Sequence, residues 1–591
     1  MNFLTTWQLW RQSRDPSAKL FYVSVENAPL SVSQLQQAHA PYATLSQLSK
    51  QLCAAYPAQH PGYHLVVLDE GRVELLLLFG GAEQMLDGLM AEVDAWYLDG
   101  FAPSRNPDMW SAEVFSAIGE KSRTGARLAT YSSARPVQDG LKKIGFKCEK
   151  VSGYAAKRES LRGVKRRVDS GVDAAPWFAR SRALHEQPKI AVIGAGIAGA
   201  CMAASLRDAG ADVTVIDRHA EPAGESSGNP AGLIQPRPGG GNPAYENLQT
   251  SAYLYAVRAY DGINAAANVW VGERGVLSFG RDEEFLERHG NWLRAGGLPD
   301  GFGSVVSANE ASEISGLDIS EPATWFPQAG TINPSAICQA MLEGIPTIYS
   351  SPISRLENTG TSWVLYGEGG QPVISVDGVV LANGYGASRL CPAAKIPLHG
   401  KRGQVTLVEA TESSRNLAVG LSYGGYMTPA LSQNGKSAHV LGATYEQWPD
   451  FDARNWSDLK EADDEQNRQH IQNRLPGISH YFDGPVLGGR ATLRTTTTDH
   501  LPVVGPAFDA DVFAANFQDL RHGKPARDYP AVSYTNGLYV LSALGSRGFA
   551  LAPLLSKILT AEILGFPVPV SRAVHDLVHP ARFLVRQLKR G

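Results

Sequence analysis

The sequence predicts an α/β protein with two Rossmann-like blocks in tandem. The first observation is Lys189-Ile-Ala-Val-Ile-Gly-Ala-Gly-Ile-Ala-Gly199, followed by Ala211-Asp-Val-Thr-Val-Ile-Asp217. An apolar strand runs into three glycines, an Ala-rich helix follows, and a second strand ends on a carboxylate. The second observation is an alternation of strand and helix patterns across residues 1–163. The third is Gly163 to Pro188, polar and turn-rich with no period, which reads as the joint between the blocks. The expected division is 1–168, a linker at 169–187, and 188–591.

In the first block, strands are expected at Leu20–Val25, His64–Leu68, Val73–Leu78, Asp94–Leu98 and Ala126–Tyr131, with helical patterns between most of them. This predicts a mainly parallel, doubly wound sheet. Asp99 closes what reads as a buried strand, at the edge where such sheets bind ligands. Glu26 closes the Leu20–Val25 strand and suits an acidic residue that holds a ribose. In the second block, Gly194 makes the tight turn. Gly196 lets the backbone approach a pyrophosphate, and Gly199 lets the helix pack on the strand. Asp217 stands about 20 residues on, where a carboxylate accepts from a ribose hydroxyl. A long mixed region of short strands follows, then strands at Val376–Gly384 and Leu538–Leu541 and an apolar helix from about Ala552 to Leu564.

A chain of 591 residues exceeds one core, so three or four domain-sized units are expected. The net charge of -4 gives no global basic field, and nucleic acid would need a local patch. Five scattered cysteines without a CxxC pair argue against structural zinc or a disulfide framework, and no metal is expected. No segment has about 18 uninterrupted apolar residues, and no signal peptide is visible, so a cytoplasmic monomer with no membrane partner is the expectation.

Four separated stretches resemble the flavin-dependent amine and amino-acid oxidase family that includes glycine oxidase. They are the nucleotide unit, Gly224-Glu-Ser-Ser-Gly-Asn-Pro-Ala-Gly232, Val379-Val-Leu-Ala-Asn-Gly384, and Leu493-Arg-Thr-Thr-Thr-Thr-Asp-His-Leu-Pro-Val-Val-Gly505 with Gly545-Ser-Arg-Gly548 downstream. The resemblance implies FAD rather than NAD, in a Rossmann-type domain with an inserted antiparallel-sheet substrate domain. It implies that Ser227, Gly228 and Asn229 run beneath the flavin ring and that Gly384, Gly545 and Gly548 close on the cofactor. It also implies that Arg494 holds a substrate carboxylate, with Arg547 near the flavin or the same carboxylate. Arginine suits this role because its planar fork is bidentate. Tyr426 is a weaker candidate for the pocket wall.

Asp94-Ala-Trp-Tyr-Leu-Asp-Gly-Phe-Ala-Pro-Ser-Arg-Asn-Pro-Asp-Met-Trp110 is similar to the methyltransferase half of the bacterial bifunctional enzymes that make 5-methylaminomethyl-2-thiouridine in tRNA. Leu128-Ala-Thr-Tyr-Ser-Ser-Ala134 and Gly153-Tyr-Ala-Ala-Lys-Arg-Glu159 agree, and the whole chain shares that family's order of halves. The resemblance implies a tRNA partner. The oxidase would cleave a carboxymethylaminomethyl arm on a wobble uridine, and S-adenosylmethionine would then methylate the amine. A carboxylate at Asp99 can orient or deprotonate that amine, and Phe101 and Trp110 are placed to wall a base pocket. Cations for RNA are expected among Lys157, Arg158, Arg162, Lys165, Arg166 and Arg167, and among Arg582, Arg586, Lys589 and Arg590.

The sequence departs from the family at its start. Met1–Trp10 corresponds to the helix that follows the family's first strand and glycine-rich loop, and no other G-x-G turn occurs in residues 1–163. Gly80-Gly81 and Ala134-Arg-Pro136 also differ from its pattern. Two readings follow: the start is misassigned, or the block has lost S-adenosylmethionine binding and serves as a binding or scaffold module. In either case the neighbours of that first strand should show unpaired edges. The alternative function is an amino-acid oxidase with a non-catalytic N-terminal module.

Overall fold

The first block forms two sheets rather than one. The computed structural model describes all residues except 13–17, 154–157, 167–174, 239, 281, 296, 450–453 and 591. Its first compact unit comprises Met1–Ala179 with Pro525–Pro530 and Phe566–His575, and the second comprises the rest.

In the first unit, β1 (Leu20–Glu26) runs parallel to β3 (Val73–Phe79), and β2 (Gly62–Leu68) runs antiparallel to β3. The link between β2 and β3 is too short for a crossover helix, and Asp69, Glu70 and Gly71 all take positive φ to turn the chain. In the second sheet, β4 (Val93–Leu98) is parallel to β5 (Ser122–Thr130). There β7 (Glu159–Lys165) is antiparallel to both β5 and β6 (Phe146–Ser152). The mainly parallel single sheet is therefore corrected: among the described residues two of five ladders are parallel.

β1 ends one sheet and β4 ends the other, each with an unpaired outer edge among the described residues. The open edge explains a second correction: β4 is not buried, and Tyr97 is 50% exposed. The helix Asn2–Arg11 packs Phe3, Leu4 and Trp7 onto the β1–β3 core. The Phe566–His575 segment completes this unit. Phe566 sits 4.5 Å from the Phe21 ring, and the amides of Val568 and Arg572 donate to the carbonyls of Met90 and Gly88 at 3.0 and 2.8 Å.

In the second unit, β8 (Lys189–Ile193) and β9 (Asp212–Ile216) flank the helix Ile197–Ala209 in a six-stranded sheet. Its Gly378–Leu381 and Tyr534–Ser542 strands continue the parallel run, and Val503–Phe508 closes one edge antiparallel. Beside it lies a ten-stranded, mostly antiparallel sheet, the inserted layer that the resemblance implies. Its longest ladder joins Leu398–Glu409 to Val486–Thr497. The helix Glu461–Arg474 covers one face of that ladder. There the fully buried Arg402 donates to Asp463 at 2.5 Å, and Gln404 and Thr406 donate to Asp464 at 2.8 and 2.6 Å. No described helix is long and apolar enough to cross a membrane, and no group of three metal-ligating side chains occurs among the described residues.

Two of the expected phosphate contacts are corrected. Lys165 is 1% exposed and donates to the carbonyls of Gly119 and Ile144 at 3.0 and 2.5 Å. Arg582 is 2% exposed and grips Asp499 through Nε and Nη2, both at 3.0 Å. Arg586 joins the same carboxylate at 2.5 Å. Arg158, Arg162 and Arg166 are exposed, whereas Lys157 and Arg167 lie outside the described residues.

Burial pushes the Asp499 carboxyl up. Its bonds to Arg582, Thr497 and Arg586 outweigh this and hold it well below the usual carboxylate range. Because the folded value is depressed, the stabilisation is complete above ~3.9, the unfolded pKa, and is lost as pH falls further. Arg582→Ala is expected to cost about 2–3 kcal/mol at pH 7, because the Asp499 carboxylate loses that guanidinium but keeps Arg586 and Thr497 as partners. Denaturant titrations of both proteins should show that gap shrinking once the pH drops below ~3.9.

Candidate active site

The chain turn after β8 is built so that nothing projects into it. Gly194 takes φ +109°, and a Cβ there would lie 2.8 Å from the Ala382 carbonyl. A Cβ on Gly199 would lie 1.7 Å from the Gly194 carbonyl oxygen. Gly196 caps the helix with no side chain, and the Ile197 amide donates to Ser227 Oγ at 2.9 Å. Asp217 accepts from the amides of Ala195 and His219 at 2.6 and 2.7 Å, so it also braces the turn.

The Gly224–Gly232 loop lies against this turn and is stitched to the strand that carries Arg494. Ser226 Oγ donates to the Leu493 carbonyl at 2.7 Å. Arg490 donates to the carbonyls of Gly224 and Glu225 at 2.7 and 3.2 Å. Gly228 must lack a side chain, because a Cβ would sit 2.1 Å from the Ala223 carbonyl oxygen. Gly384 follows the Gly378–Leu381 strand and accepts from Ser542 Oγ at 2.9 Å. The Gly545 amide donates to Thr495 at 3.0 Å. Gly548 opens a helix whose start lies beside Ile197.

Arg494 is 8% exposed, and its Nη1 donates to the Thr444 carbonyl at 3.4 Å. A Cβ on Gly403 would sit 2.1 Å from that Nη1, so the glycine makes the guanidinium's seat. Burial pulls the Arg494 pKa down, against the influence of Tyr426 and Tyr445. Tyr426 is held by the Ala231 carbonyl at 3.2 Å, and burial pushes its hydroxyl up to about 12. Arg547 donates through Nη1 to Gln249, while its buried Nη2 has no partner. Burial and then the charge of Arg237 pull it down to about 10. Neither Arg494 nor Arg547 has a carboxylate partner among the described residues.

Buried polar atoms without partners gather on the same loops: Asn229 Oδ1, Asn383 Oδ1, Arg490 Nε and Arg547 Nη2. Such atoms call for a ligand. A glycine-lined turn at a helix start, with both donors and acceptors around it, fits a flavin dinucleotide. The structure therefore brings together Gly194, Gly196, Gly199, Asp217, Ser227, Gly228 and Asn229, and sets Arg494 on the strand stitched to their loop. Arg490 and Gln249 escaped the sequence reading. Arg490 was findable, because it sits four residues before Arg494 on one strand and so shares its face. Gln249 lies on the buried side of Pro243–Ala267 and gives no local signal.

In the first unit, Asp99 follows β4 and is exposed, and it accepts from Asn2 Nδ2 at 2.6 Å. Glu26 ends β1 and accepts from the Ala28 amide at 2.9 Å. Tyr131 donates to the Gly100 carbonyl, which ties the Asp99 loop to the end of β5. A cleft of about 730 Å³ is lined by Pro103, Ser104, Tyr131, Ser132, Arg158 and Glu159, among others. Phe101 and Trp110 do not line it: Phe101 is 69% exposed, and Trp110 Nε1 donates to its carbonyl at 2.8 Å.

Gly199→Ala puts a methyl group against the Gly194 carbonyl and should displace the turn. The purified variant is expected to retain about tenfold less FAD, a loss near 1.4 kcal/mol, measured by flavin absorbance per chain.

Residues 189–562 match the FAD dependent oxidoreductase family model, and residues 43–166 match an S-adenosyl-L-methionine-dependent methyltransferase model. Two solved structures resemble the second unit in fold. L-proline dehydrogenase from P. horikoshii aligns with TM-score 0.52 and 17% identity, over 68% of this chain and 99% of its own. Iminodiacetate oxidase from Chelativorans sp. BNC1 aligns with TM-score 0.51 and 19% identity, over 64% and 96%. The tRNA 5-methylaminomethyl-2-thiouridine biosynthesis bifunctional protein of Magnetococcus marinus is 36% identical over all of this chain and 88% of its own length. Its counterpart in Pseudomonas putida is 35% identical, over 100% and 89%. Matched end to end by such relatives and by both family models, the chain belongs to the family of tRNA 5-methylaminomethyl-2-thiouridine biosynthesis bifunctional proteins.

Proposed function

We propose that the chain modifies the wobble uridine of tRNA in two steps. The first removes the carboxymethyl group from 5-carboxymethylaminomethyl-(2-thio)uridine, and the second methylates the exposed amine. The observation that carries the first step is Arg494: a buried guanidinium with no carboxylate partner among the described residues, on the strand stitched to the cofactor loop. The arm ends in a carboxylate beside an amine, which such a fork holds through paired charge-assisted hydrogen bonds.

Gly194, Gly196, Gly199, Ser227, Gly228, Asn229, Gly384, Gly545 and Gly548 would hold FAD, with Asp217 bracing the turn and its ribose. Held there, FAD would supply the acceptor for a hydride from the carboxymethyl carbon next to the amine nitrogen. Arg494 fixes that carbon through the carboxylate, Thr444 and Gly403 hold the guanidinium in place, and Arg547 completes the cationic wall. Loss of hydride leaves a carbon–nitrogen double bond. Water adds to its carbon, and glyoxylate leaves as the primary amine is released.

S-adenosylmethionine supplies the methyl group for the second step. Glu26, at the end of β1, is the residue placed to hold its ribose, and Asp99, at the end of β4, is placed to orient the amine and take its proton. Exposed Arg158, at the rim of the cleft, suits an RNA phosphate.

Nucleoside analysis of tRNA from a deletion strain complemented with this chain tests both steps. The 5-methylaminomethyl product is expected. Asp99→Ala should leave the aminomethyl intermediate to accumulate. Arg494→Lys keeps the charge but loses the fork, and should lower kcat/KM for arm cleavage roughly 10- to 100-fold. If glycine or D-amino acids are oxidised while the carboxymethylaminomethyl arm stays intact, the chain is an amino-acid oxidase instead.

A further inference from the structure

The strand that seats Arg494 carries a second feature that the oxidation itself does not use. In the ladder, Lys401 lies directly opposite Arg494 on one side and opposite Gln447 on the other. Directly paired residues share a sheet face, so these three side chains form a row. The neighbouring Arg402 points to the opposite face, where the Glu461–Arg474 helix buries it. The row therefore lies on the face away from that helix.

Tyr445 stands beside this row. It follows Thr444, whose carbonyl accepts from Arg494, and precedes Gln447 by two positions. The ring is 50% exposed, unusual for a large aromatic side chain next to a buried charge. Lys401 Nζ lies 5.4 Å from the ring centroid, and 3.4 Å from Gln447 Oε1. Among the described residues Lys401 has no carboxylate partner. An exposed aromatic ring flanked by a cation without a carboxylate partner is the arrangement that binds single-stranded nucleic acid, stacking a base and neutralising its phosphate.

We propose that Tyr445 and Lys401 form the outer half of the oxidase's substrate site. The ring stacks on the uracil of the modified nucleotide, and Lys401 meets a phosphate of the same RNA strand. The inference rests on the proposed arm oxidation. Only a methylene, an amine and a second methylene separate the uracil ring from the carboxylate. A base on Tyr445 is thus next to a carboxylate on Arg494, just as Tyr445 is next to the residue that Arg494 touches. These side chains would select a nucleotide-borne arm over a free amino acid of the same chemistry.

The test uses the full-length flavin-loaded chain and two substrates: tRNA carrying the carboxymethylaminomethyl arm, and sarcosine, a small N-substituted glycine with no base. For Tyr445→Ala, the ratio of kcat/KM on tRNA to that on sarcosine should fall about tenfold or more, mainly through KM, with flavin content unchanged. Tyr445→Trp should restore the ratio. Lys401→Ala should raise KM for tRNA and reduce the salt dependence of binding by about one phosphate contact. An unchanged ratio in Tyr445→Ala, or equal losses on both substrates, overturns the proposal while leaving the arm oxidation standing. A wild-type chain that oxidises sarcosine but not the tRNA arm overturns both.

Discussion

The pairing of Leu398–Glu409 with Val486–Thr497 sets the geometry of the oxidase unit. On one face it seats Arg494 over Gly403. On the other it buries Arg402 in a network with Asp463, Gln404 and Asp464. From the second strand, Arg490 and the Leu493 carbonyl reach the cofactor loop. A slip of one residue would exchange the faces, placing Arg494 under the helix and Arg402 in the site. The register is guarded on both sides: by the absence of a side chain at Gly403 and by the saturated hydrogen bonding of Arg402. The Gly224–Gly232 loop and Arg494 are thereby held on one rigid element, which is what a proposed site of this kind needs, since small misplacements are costly to catalysis.

Buried arginines in this chain sit in two kinds of environment. Arg402 and Arg582 are almost fully buried, and each is met by a carboxylate and backbone carbonyls. Arg494 and Arg547 have no carboxylate partner among the described residues. An uncompensated buried cation destabilises the fold, and this contrast is what the proposed substrate-binding role of Arg494 rests on.

Much of the second unit was legible because its constraints are local. Gly194 and Gly199 are each required by a contact within a few residues or beside an adjacent strand, so the turn shows in the sequence. Arg494, which the structure buries, was singled out through its surrounding motif. The first unit was less legible. Its strands were visible one by one, but the turn at Asp69–Gly71 makes β2 and β3 antiparallel neighbours, and β6 and β7 follow polar sequences without alternation. Lys165 and Arg582 misled because a run of cations looks the same whether it faces solvent or carbonyls. Their acceptors, Gly119, Ile144 and Asp499, lie 21 to 83 residues away.

The return of Phe566–His575 into the first unit has a consequence for biosynthesis. Val568, Val570 and Val574 are fully buried there, and Phe566 meets a residue of β1. Multidomain chains generally fold in order of synthesis, the amino-terminal domain first. Here that domain cannot close until almost the whole polypeptide has left the ribosome, so the part made first is among the last to be finished. An incomplete translation product thus lacks a finished methyltransferase unit however much of the oxidase it contains, which ties the supply of one activity to completion of the other.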